Sequence, residues 1–191
     1  MNKTAITAAP ILSVLADRWS PRSYDTIHEL SDHDLLSVLE AARWAASANN
    51  GQPWRFSVAK RGTELHERIR DGLGGFNGSW APAASALIVV SVLKTQADGR
   101  PYASAHYDAG LAVASLCIQA QELGLHTHQM MGIEHSTLHT TLGLDENLEV
   151  LLAVSIGKVA PAEQLEGPAY EREITPRVRH TLDQIVLHGK P

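Results

Sequence analysis

The hydrophobic pattern of the chain predicts three β-strands. In residues 54–59 (WRFSVA), apolar side chains alternate with others, which is typical of a half-buried strand. Residues 86–93 (ALIVVSVL) form a continuous apolar run, which favours a strand covered on both faces. Residues 150–156 are predicted as the third strand, which ends before Gly157 and Lys158. The run at residues 86–93 therefore indicates a sheet with a buried interior strand.

Apolar residues at helical spacing predict helices around these strands. Ser31 is predicted as the N-cap of a helix that continues to about residue 45. A long helix is predicted over residues 102–123, with Gly124 at its C-terminal end. It is nearly apolar on all sides over residues 109–120, as expected for a helix in a core or a large interface. Shorter helices are predicted over residues 11–16, 63–71 and 134–142, a glycine-rich loop over residues 72–78, and a last helix with Thr175 as N-cap and Pro176 at its first position.

Length and composition favour one domain over residues 1–191. The chain is 44% hydrophobic and 19% charged, which excludes wholesale disorder. A net charge of -5 excludes the basic surface of a nucleic-acid-binding protein. The single cysteine, Cys117, excludes an intrachain disulfide or a cysteine zinc site, and it is predicted to lie in the core. No apolar run reaches the ~18 residues of a membrane span, and no signal peptide is evident, so a cytoplasmic protein is predicted.

The segment at residues 18–23 (RWSPRS) is the richest in candidate chemistry. Arg18 and Arg22 are four positions apart with Ser20 between them. The three side chains can converge on one phosphate, because each guanidinium supplies paired N–H donors and the serine supplies another. A solvated basic turn is the alternative. This segment alone does not decide between the two.

Two further segments contain groups suited to a planar ligand. Residues 47–54 (SANNGQPW) hold two asparagines and a glutamine, whose amides can contact the donor and acceptor edge of a heterocycle. Residues 128–133 (HQMMGI) include Gly132, which permits close approach of the backbone and an N–H bond to a flat ring. Ordinary turn chemistry also explains the first segment, and core-filling methionines also explain the second.

A fourth segment, residues 176–179 (PRVR), puts Arg177 and Arg179 in the first turn of the predicted last helix. The helix dipole disfavours cations at that position. The conflict suggests that both arginines serve an anion, and surface solvation is the alternative.

The other candidate motifs are weaker. Four histidines form the pairs His126 with His128 and His135 with His139, but neither pair has the glutamate or cysteine partners of a zinc site, so no metal is predicted. The glycines of residues 72–75 lack the spacing and the preceding strand of a dinucleotide-binding loop, which excludes a Rossmann fold.

Taken in order, these segments resemble the FMN-dependent nitroreductase family of NAD(P)H-dependent flavin oxidoreductases. The matching pieces cover nearly the whole chain and are residues 18–22 (RWSPR), 42–54 (ARWAASANNGQPW), 108–111 (DAGL), 123–125 (LGL), 128–133 (HQMMGI), 154–157 (VSIG) and 176–179 (PRVR). Each piece is modest in specificity, but their ordered conjunction is strong. The resemblance implies an α+β nitroreductase-like sandwich with a central, mostly antiparallel sheet flanked by helices. It also implies an intertwined homodimer with two FMN sites at the subunit interface.

The residues that the resemblance implies as FMN ligands fall into four groups. Arg18, Trp19, Ser20 and Arg22 match the family positions that hold the phosphate and ribityl chain of FMN. Arg177 and Arg179 match the basic pair that completes the phosphate site. The second subunit is implied to contribute Ala46, Ser47, Ala48, Asn50 and Gln52. Residues Gln129, Met130, Met131 and Gly132 match the turn that runs along the flavin ring and places a backbone N–H near N5. Asn77 matches an asparagine that contacts the pyrimidine side of the ring. No catalytic side chain is implied, because N5 of FMN carries the chemistry.

The chain departs from the family pattern at several positions. Ala46 stands where proline is common, and Met131 stands where an acidic residue is frequent. A lysine often found after the Asn77 position is missing, with Trp80 nearby. The chain is also short for the family, so the helical excursion that often shapes the substrate pocket is expected to be reduced.

The function implied by the resemblance is a ping-pong transfer of hydride from NADH or NADPH through FMN to a small electron acceptor. Nitroaromatics, quinones, enals and semialdehydes are the acceptors implied. Two alternatives are a flavin-binding or storage protein without turnover, and a flavin reductase or desaturase that acts on another metabolite.

Overall fold

The computed structural model describes residues 3–189, and its centre is a four-stranded antiparallel sheet. The strands are β1 (Trp54–Lys60), β2 (Ala86–Leu93), β3 (His126–Met130) and β4 (Leu148–Gly157). They lie in the order β1-β2-β4-β3, so β2 and β4 are interior and β1 and β3 are edge strands. The predicted α+β class with an antiparallel sheet is confirmed.

Helices flank this sheet. They are α1 (Ser13–Asp17), α2 (Asp32–Arg43), α3 (Glu64–Asp71), α4 (Gly75–Gly78), α5 (Ala105–Glu122), α6 (His135–Thr141), α7 (Gly167–Ile174) and α8 (Leu182–Ile185). Short 3-10 turns cover Ala48–Asn50, Ala81–Ala83 and Ala162–Gln164. Within residues 3–189, no helix combines the length and the apolar character needed to cross a membrane.

Strand β2 divides the core into two layers, because successive side chains of a strand point to opposite faces. Ile88 and Val90 pack in one cluster with α2 and α5. Leu87 and Val89 pack in a second cluster with α3 and α6. All four side chains are fully buried. The prediction of a strand covered on both faces is confirmed.

Helix α5 is buried on one face only. Its inner face packs against α2 and the sheet. Its outer face carries Tyr107, Gly110, Ala114 and Ile118, which recur at helical spacing and are all exposed. Tyr107 is 72% exposed and Ile118 is 38% exposed. The apolar character predicted for this helix therefore exceeds what the core of one chain uses.

The predicted helix limits hold with small shifts. The Ser31 hydroxyl accepts the N–H of Asp34 at 3.0 Å, which confirms the predicted N-cap. Helix α2 ends at Arg43, slightly before the predicted end. Helix α5 begins at Ala105 rather than at residue 102. Gly124 follows α5 with a φ of 70°, a left-handed conformation that favours glycine.

The prediction of only three strands was wrong. Strand β3 (HTHQM) is paired with β4 along its whole length. Its residues are mostly polar, and only Thr127 and Met130 are buried, so its sequence carries no apolar alternation. The predicted loop at residues 72–78 also contains the short helix α4.

The prediction that Thr175 caps the last helix was also wrong. Thr175 follows the C-terminal end of α7, and its hydroxyl donates to the carbonyl oxygen of Glu171 at 2.7 Å. Pro176 stops the helix, because proline has no N–H and disfavours a helical conformation in the residue before it. Arg177 and Arg179 therefore lie beyond a helix end, and the helix-dipole argument for them does not apply.

Candidate functional site

A basic cleft forms where the N-terminal segment, the loop after α1 and the segment after α7 meet. It has a volume of about 180 Å³ and is lined by Lys3, Arg18, Trp19, Ser20, Arg172, Thr175, Arg177 and Arg179. The structure thus brings together residues that are more than 150 positions apart in the chain. Larger hollows of about 560 and 600 Å³ lie elsewhere on the surface, and neither contains a residue of the predicted site.

Backbone carbonyl oxygens fix the position of Arg177 in the basic cleft. Its Nη1 donates to the carbonyl oxygens of Lys3 at 2.6 Å and Ala16 at 2.7 Å. In return, the Lys3 amine donates to the carbonyl oxygen of Thr175 at 2.6 Å. The N-terminal segment and the segment after α7 are therefore joined at the cleft.

The charge of the basic cleft is poorly neutralised. Five of the described residues that line the cleft are cations and none is a carboxylate, and the negative charges of Asp17 and Glu173 act on Arg177 and Lys3 from outside this lining. Burial lowers the pKa of Arg177, and the nearby charges of Arg18 and Arg179 lower it further. Such a group of cations fits an anion with several oxygens, and a phosphate meets that requirement.

Arg22 does not line the basic cleft itself but lies beside it. Its guanidinium carbon is 5.9 Å from the ring centroid of Phe76 and 5.7 Å from that of Trp80. Its buried Nε has no hydrogen-bond partner within the described chain. Arg172 contacts the same Phe76 ring at 4.5 Å, so two like charges share one aromatic surface. Arg22 therefore keeps an unused donor beside the cleft.

The turn after β3 is joined to Asn77. The Asn77 side-chain amide donates to the carbonyl oxygen of Gly132 at 2.8 Å. Met131 is 65% exposed, whereas Met130 is only 3% exposed and packs in the core. Gln129 is exposed, and its amide lies 3.4 Å from the sulfur of Cys117. Gly132 and Met131 are thus the members of this turn that face solvent next to Asn77.

The amide-rich segment at residues 46–52 lies on the surface with an unusual backbone. Asn49, Asn50 and Gln52 have φ values of 51°, 55° and 48°. These values lie in the left-handed region, which residues other than glycine rarely adopt. Strain of this kind is often found at functional sites. The N–H of Ala48 donates to the buried carboxylate of Asp108, which holds the segment against the start of α5.

One chain does not bring this segment to the basic cleft. The segment is bound to Asp108 in the first turn of α5, whereas the ring of Trp19 in the cleft lies 6.2 Å from the ring of His126, which follows the C-terminal end of that helix. At 1.5 Å per residue, the helix from Asp108 to its last residue, Glu122, spans about 21 Å. The two predicted parts of the site therefore lie towards opposite ends of α5.

Sequence reasoning missed several residues at the site. Lys3 and Arg172 line the basic cleft, and the Glu173 carboxylate is buried behind it. The Nδ1 of His128 carries a proton and donates to the Pro21 carbonyl oxygen at 2.9 Å, because a carbonyl oxygen can only accept. Burial lowers the pKa of His128 to about 4. Among these missed residues, Arg172 alone could have been noticed in the sequence, because it is a cation five positions before Arg177.

The remaining candidate groups serve structure. Cys117 is buried, as predicted, and burial raises the pKa of its thiol. The ring nitrogens of His135 lie 2.8 Å and 3.2 Å from the carbonyl oxygens of Val150 and Met131. In residues 3–189, the His, Cys, Asp and Glu side chains form no group of three or more that could hold a metal ion.

The family profile described as "Nitroreductase family" matches residues 15–75 and 73–158, which include the loop after α1, the amide-rich segment and the whole sheet. The chain belongs to the nitroreductase family. A crystal structure described as an oxidoreductase containing FMN is similar to it, with 34% identity and a TM-score of 0.91, and the match covers 97% of this chain and 95% of that one.

Two curated nitroreductases are also similar in sequence. A protein of Archaeoglobus fulgidus, provisionally named NADH dehydrogenase/NAD(P)H nitroreductase, is 31% identical over 151 residues, which cover 76% of this chain and 83% of that protein. An oxygen-insensitive NADPH nitroreductase of Helicobacter pylori strain J99 is 32% identical over 127 residues, which cover 63% of this chain and 58% of that protein.

Proposed function

We propose that this nitroreductase-family chain is an enzyme that binds FMN and uses NADH or NADPH to reduce a small electron acceptor. The basic cleft is the observation that carries the proposal. Its described lining gathers Lys3, Arg18, Arg172, Arg177 and Arg179, and it contains no carboxylate. The buried, unpartnered Nε of Arg22 beside it fits a polar ligand that continues beyond the cleft.

In this proposal the phosphate of FMN occupies the basic cleft. Arg18, Ser20, Arg177 and Arg179 donate to the phosphate oxygens, and Lys3 and Arg172 add positive charge. Each charge-assisted hydrogen bond contributes roughly 1.5–3 kcal/mol. The cleft therefore fixes one end of the cofactor.

The flavin ring would extend past Arg22 towards the turn after β3. The Asn77 amide donates to the carbonyl oxygen of Gly132, so the amide and the turn lie side by side. When bound, FMN supplies the hydride-accepting and hydride-donating chemistry. The chain's part is to bind the phosphate, orient the ring and present backbone N–H groups to it.

A second copy of the chain would complete this site. The amide-rich segment lies at the opposite end of α5 from Trp19, so a partner is needed to bring Ser47, Asn50 and Gln52 to the ring. The outer face of α5, with exposed Tyr107 and Ile118, offers an apolar surface for that partner. We therefore include a homodimer in the proposal.

Names of related proteins support the same chemistry. The similar oxidoreductase contains FMN, and the relatives from Archaeoglobus fulgidus and Helicobacter pylori are named for NAD(P)H and NADPH respectively. A small acceptor of the nitroaromatic, quinone, enal or semialdehyde class remains the proposed oxidant.

The test is the visible spectrum of the purified chain with FMN, before and after NADH or NADPH is added without oxygen. The proposal predicts a yellow protein whose bound flavin is bleached by at least one reduced nicotinamide. Its colour should return when a nitroaromatic or a quinone is added. A protein that takes up FMN but is bleached by neither nicotinamide would instead be a flavin-binding protein without turnover. A colourless protein would overturn the assignment of the cleft.

A further inference from the structure

A buried carboxylate lies directly behind the basic cleft. Glu173, on α7, is only 2% exposed. Its Oε2 accepts the N–H of Arg22 at 2.7 Å, and its Oε1 accepts the N–H of Ser23 at 3.1 Å. Both carboxylate oxygens are thus bound to consecutive backbone groups of the loop after α1. That loop also carries Arg18 and Ser20.

Glu173 also belongs to the other side of the basic cleft. Glu173 follows Arg172 in the sequence and lies two residues before Thr175. Arg172 and Thr175 both line the cleft. The two hydrogen bonds therefore connect α7 to the loop after α1. Other contacts hold the far end of that loop, since the Ser23 hydroxyl donates to the carbonyl oxygen of Pro161 at 2.7 Å. Arg177 bonds to Ala16 in α1, ahead of the loop, and Glu173 is the residue of α7 that bonds to the backbone of the loop itself.

We propose that Glu173 is a positioning residue for the phosphate site, which sets the distance between the loop after α1 and the cations that follow α7. This inference rests on the proposed function, because it concerns the binding of the FMN phosphate. Glu173 does not contact the cofactor in this proposal. It acts through the backbone of Arg22 and Ser23.

The sign of the effect separates positioning from simple electrostatics. A carboxylate near the phosphate repels it, so removal of its charge alone would strengthen FMN binding. Loss of an acceptor for a buried N–H would instead let the loop after α1 shift and would weaken FMN binding. Glu173→Gln has nearly the same shape but keeps only one acceptor oxygen, so it tests both effects at once.

The experiment compares the full chain, freed of flavin, with Glu173→Gln and with the matched control Glu171→Gln. Glu171 lies on the same helix and is exposed, so its variant removes the same charge without the two bonds. Dissociation constants are measured for FMN and for riboflavin, which lacks the phosphate. We expect Glu173→Gln to weaken FMN binding about tenfold and to change riboflavin binding less than about twofold. Glu171→Gln should leave both constants within about twofold of the parent values.

Other outcomes overturn the inference. If Glu173→Gln strengthens FMN binding, its charge and not its position matters. If it weakens FMN and riboflavin by the same factor, or changes neither, its role is only structural or absent. If the variant does not fold, Glu173→Asp, which keeps the charge but shortens the reach, must show the same selective loss of FMN. A parent chain that binds neither flavin refutes the proposed function itself.

Discussion

The hydroxyl of Tyr102 lies where a side chain at Gly51 would begin. A Cβ placed on Gly51 would be 1.3 Å from this oxygen and 2.6 Å from the adjoining ring carbon. The aromatic ring that precedes α5 is thus packed directly against the backbone of the amide-rich segment. Only glycine permits this approach, so the conformation of residues 49–52 depends on it.

Gly51→Ala should therefore destabilise the protein. The added methyl group forces Tyr102 or the backbone to move, which typically costs about 1–3 kcal/mol. Urea unfolding measures this loss. Gly75→Ala is the control, since a Cβ there meets no atom within 4 Å. In the double variant with Tyr102→Ala, the cost of Gly51→Ala should largely disappear, and equal costs in both backgrounds would contradict the contact.

Arg18→Ala and Arg179→Ala should each weaken FMN binding by roughly tenfold to a hundredfold, the equivalent of one charge-assisted bond. Fluorescence titration with FMN gives the constants. Arg100→Ala is a suitable control, because Arg100 is exposed and pairs with Asp98 outside the cleft. Full flavin content and unchanged affinity in both cleft variants would show that the phosphate lies elsewhere.

Half-buried His128 should make the protein less stable in acid. Its pKa is about 4 in the fold, below the ordinary value of 6.5, so the unfolded chain binds more protons between those values. Stability attributable to His128 is therefore complete above pH 6.5 and falls by up to about 3 kcal/mol as the pH drops to 4.

The measurement is the free energy of unfolding at pH 7.5 and pH 5 for the parent and for His128→Asn, whose amide nitrogen can replace Nδ1 as donor to Pro21. The pH dependence should be smaller in the variant. His33→Asn serves as the control, because the His33 side chain is 91% exposed. An equal pH dependence in the parent and in His128→Asn would contradict the burial of this histidine.

Ile118→Asp should convert the proposed dimer to monomers and reduce its flavin content. The change adds a charge to the outer face of α5, where the partner would bury it at a cost of several kcal/mol. Sedimentation velocity gives the mass of the particle. Ser136→Asp, on the exposed part of α6, adds the same charge away from that face. A chain that is monomeric before the substitution and still binds FMN would refute the shared site.

Much of the fold could be predicted from local patterns. The apolar run of β2 and the cap at Ser31 fix elements within a few residues, because each signal lies inside the element that it forms. Strand β3 was missed since its stability comes from pairing with β4 and not from its own composition. Pro176 misled because proline can follow a helix as well as begin one.

The candidate site was only partly predictable for a related reason. Arg18 and Arg177 carry a recognisable pattern of charge, but their meeting depends on chain segments far apart. Lys3 and Glu173 enter the site through bonds to backbone atoms more than 140 positions away, and no local pattern marks such residues. Their roles become visible only once the chain is folded.

The bonds between Arg177 and the carbonyl oxygens of Lys3 and Ala16 have a practical consequence for preparing the protein. An affinity tag fused ahead of Lys3 that displaces this residue would remove the Lys3 carbonyl oxygen, one of the two acceptors that orient the Arg177 guanidinium. The yield of coloured material would then vary with the end chosen for the fusion, even though the rest of the polypeptide folds normally.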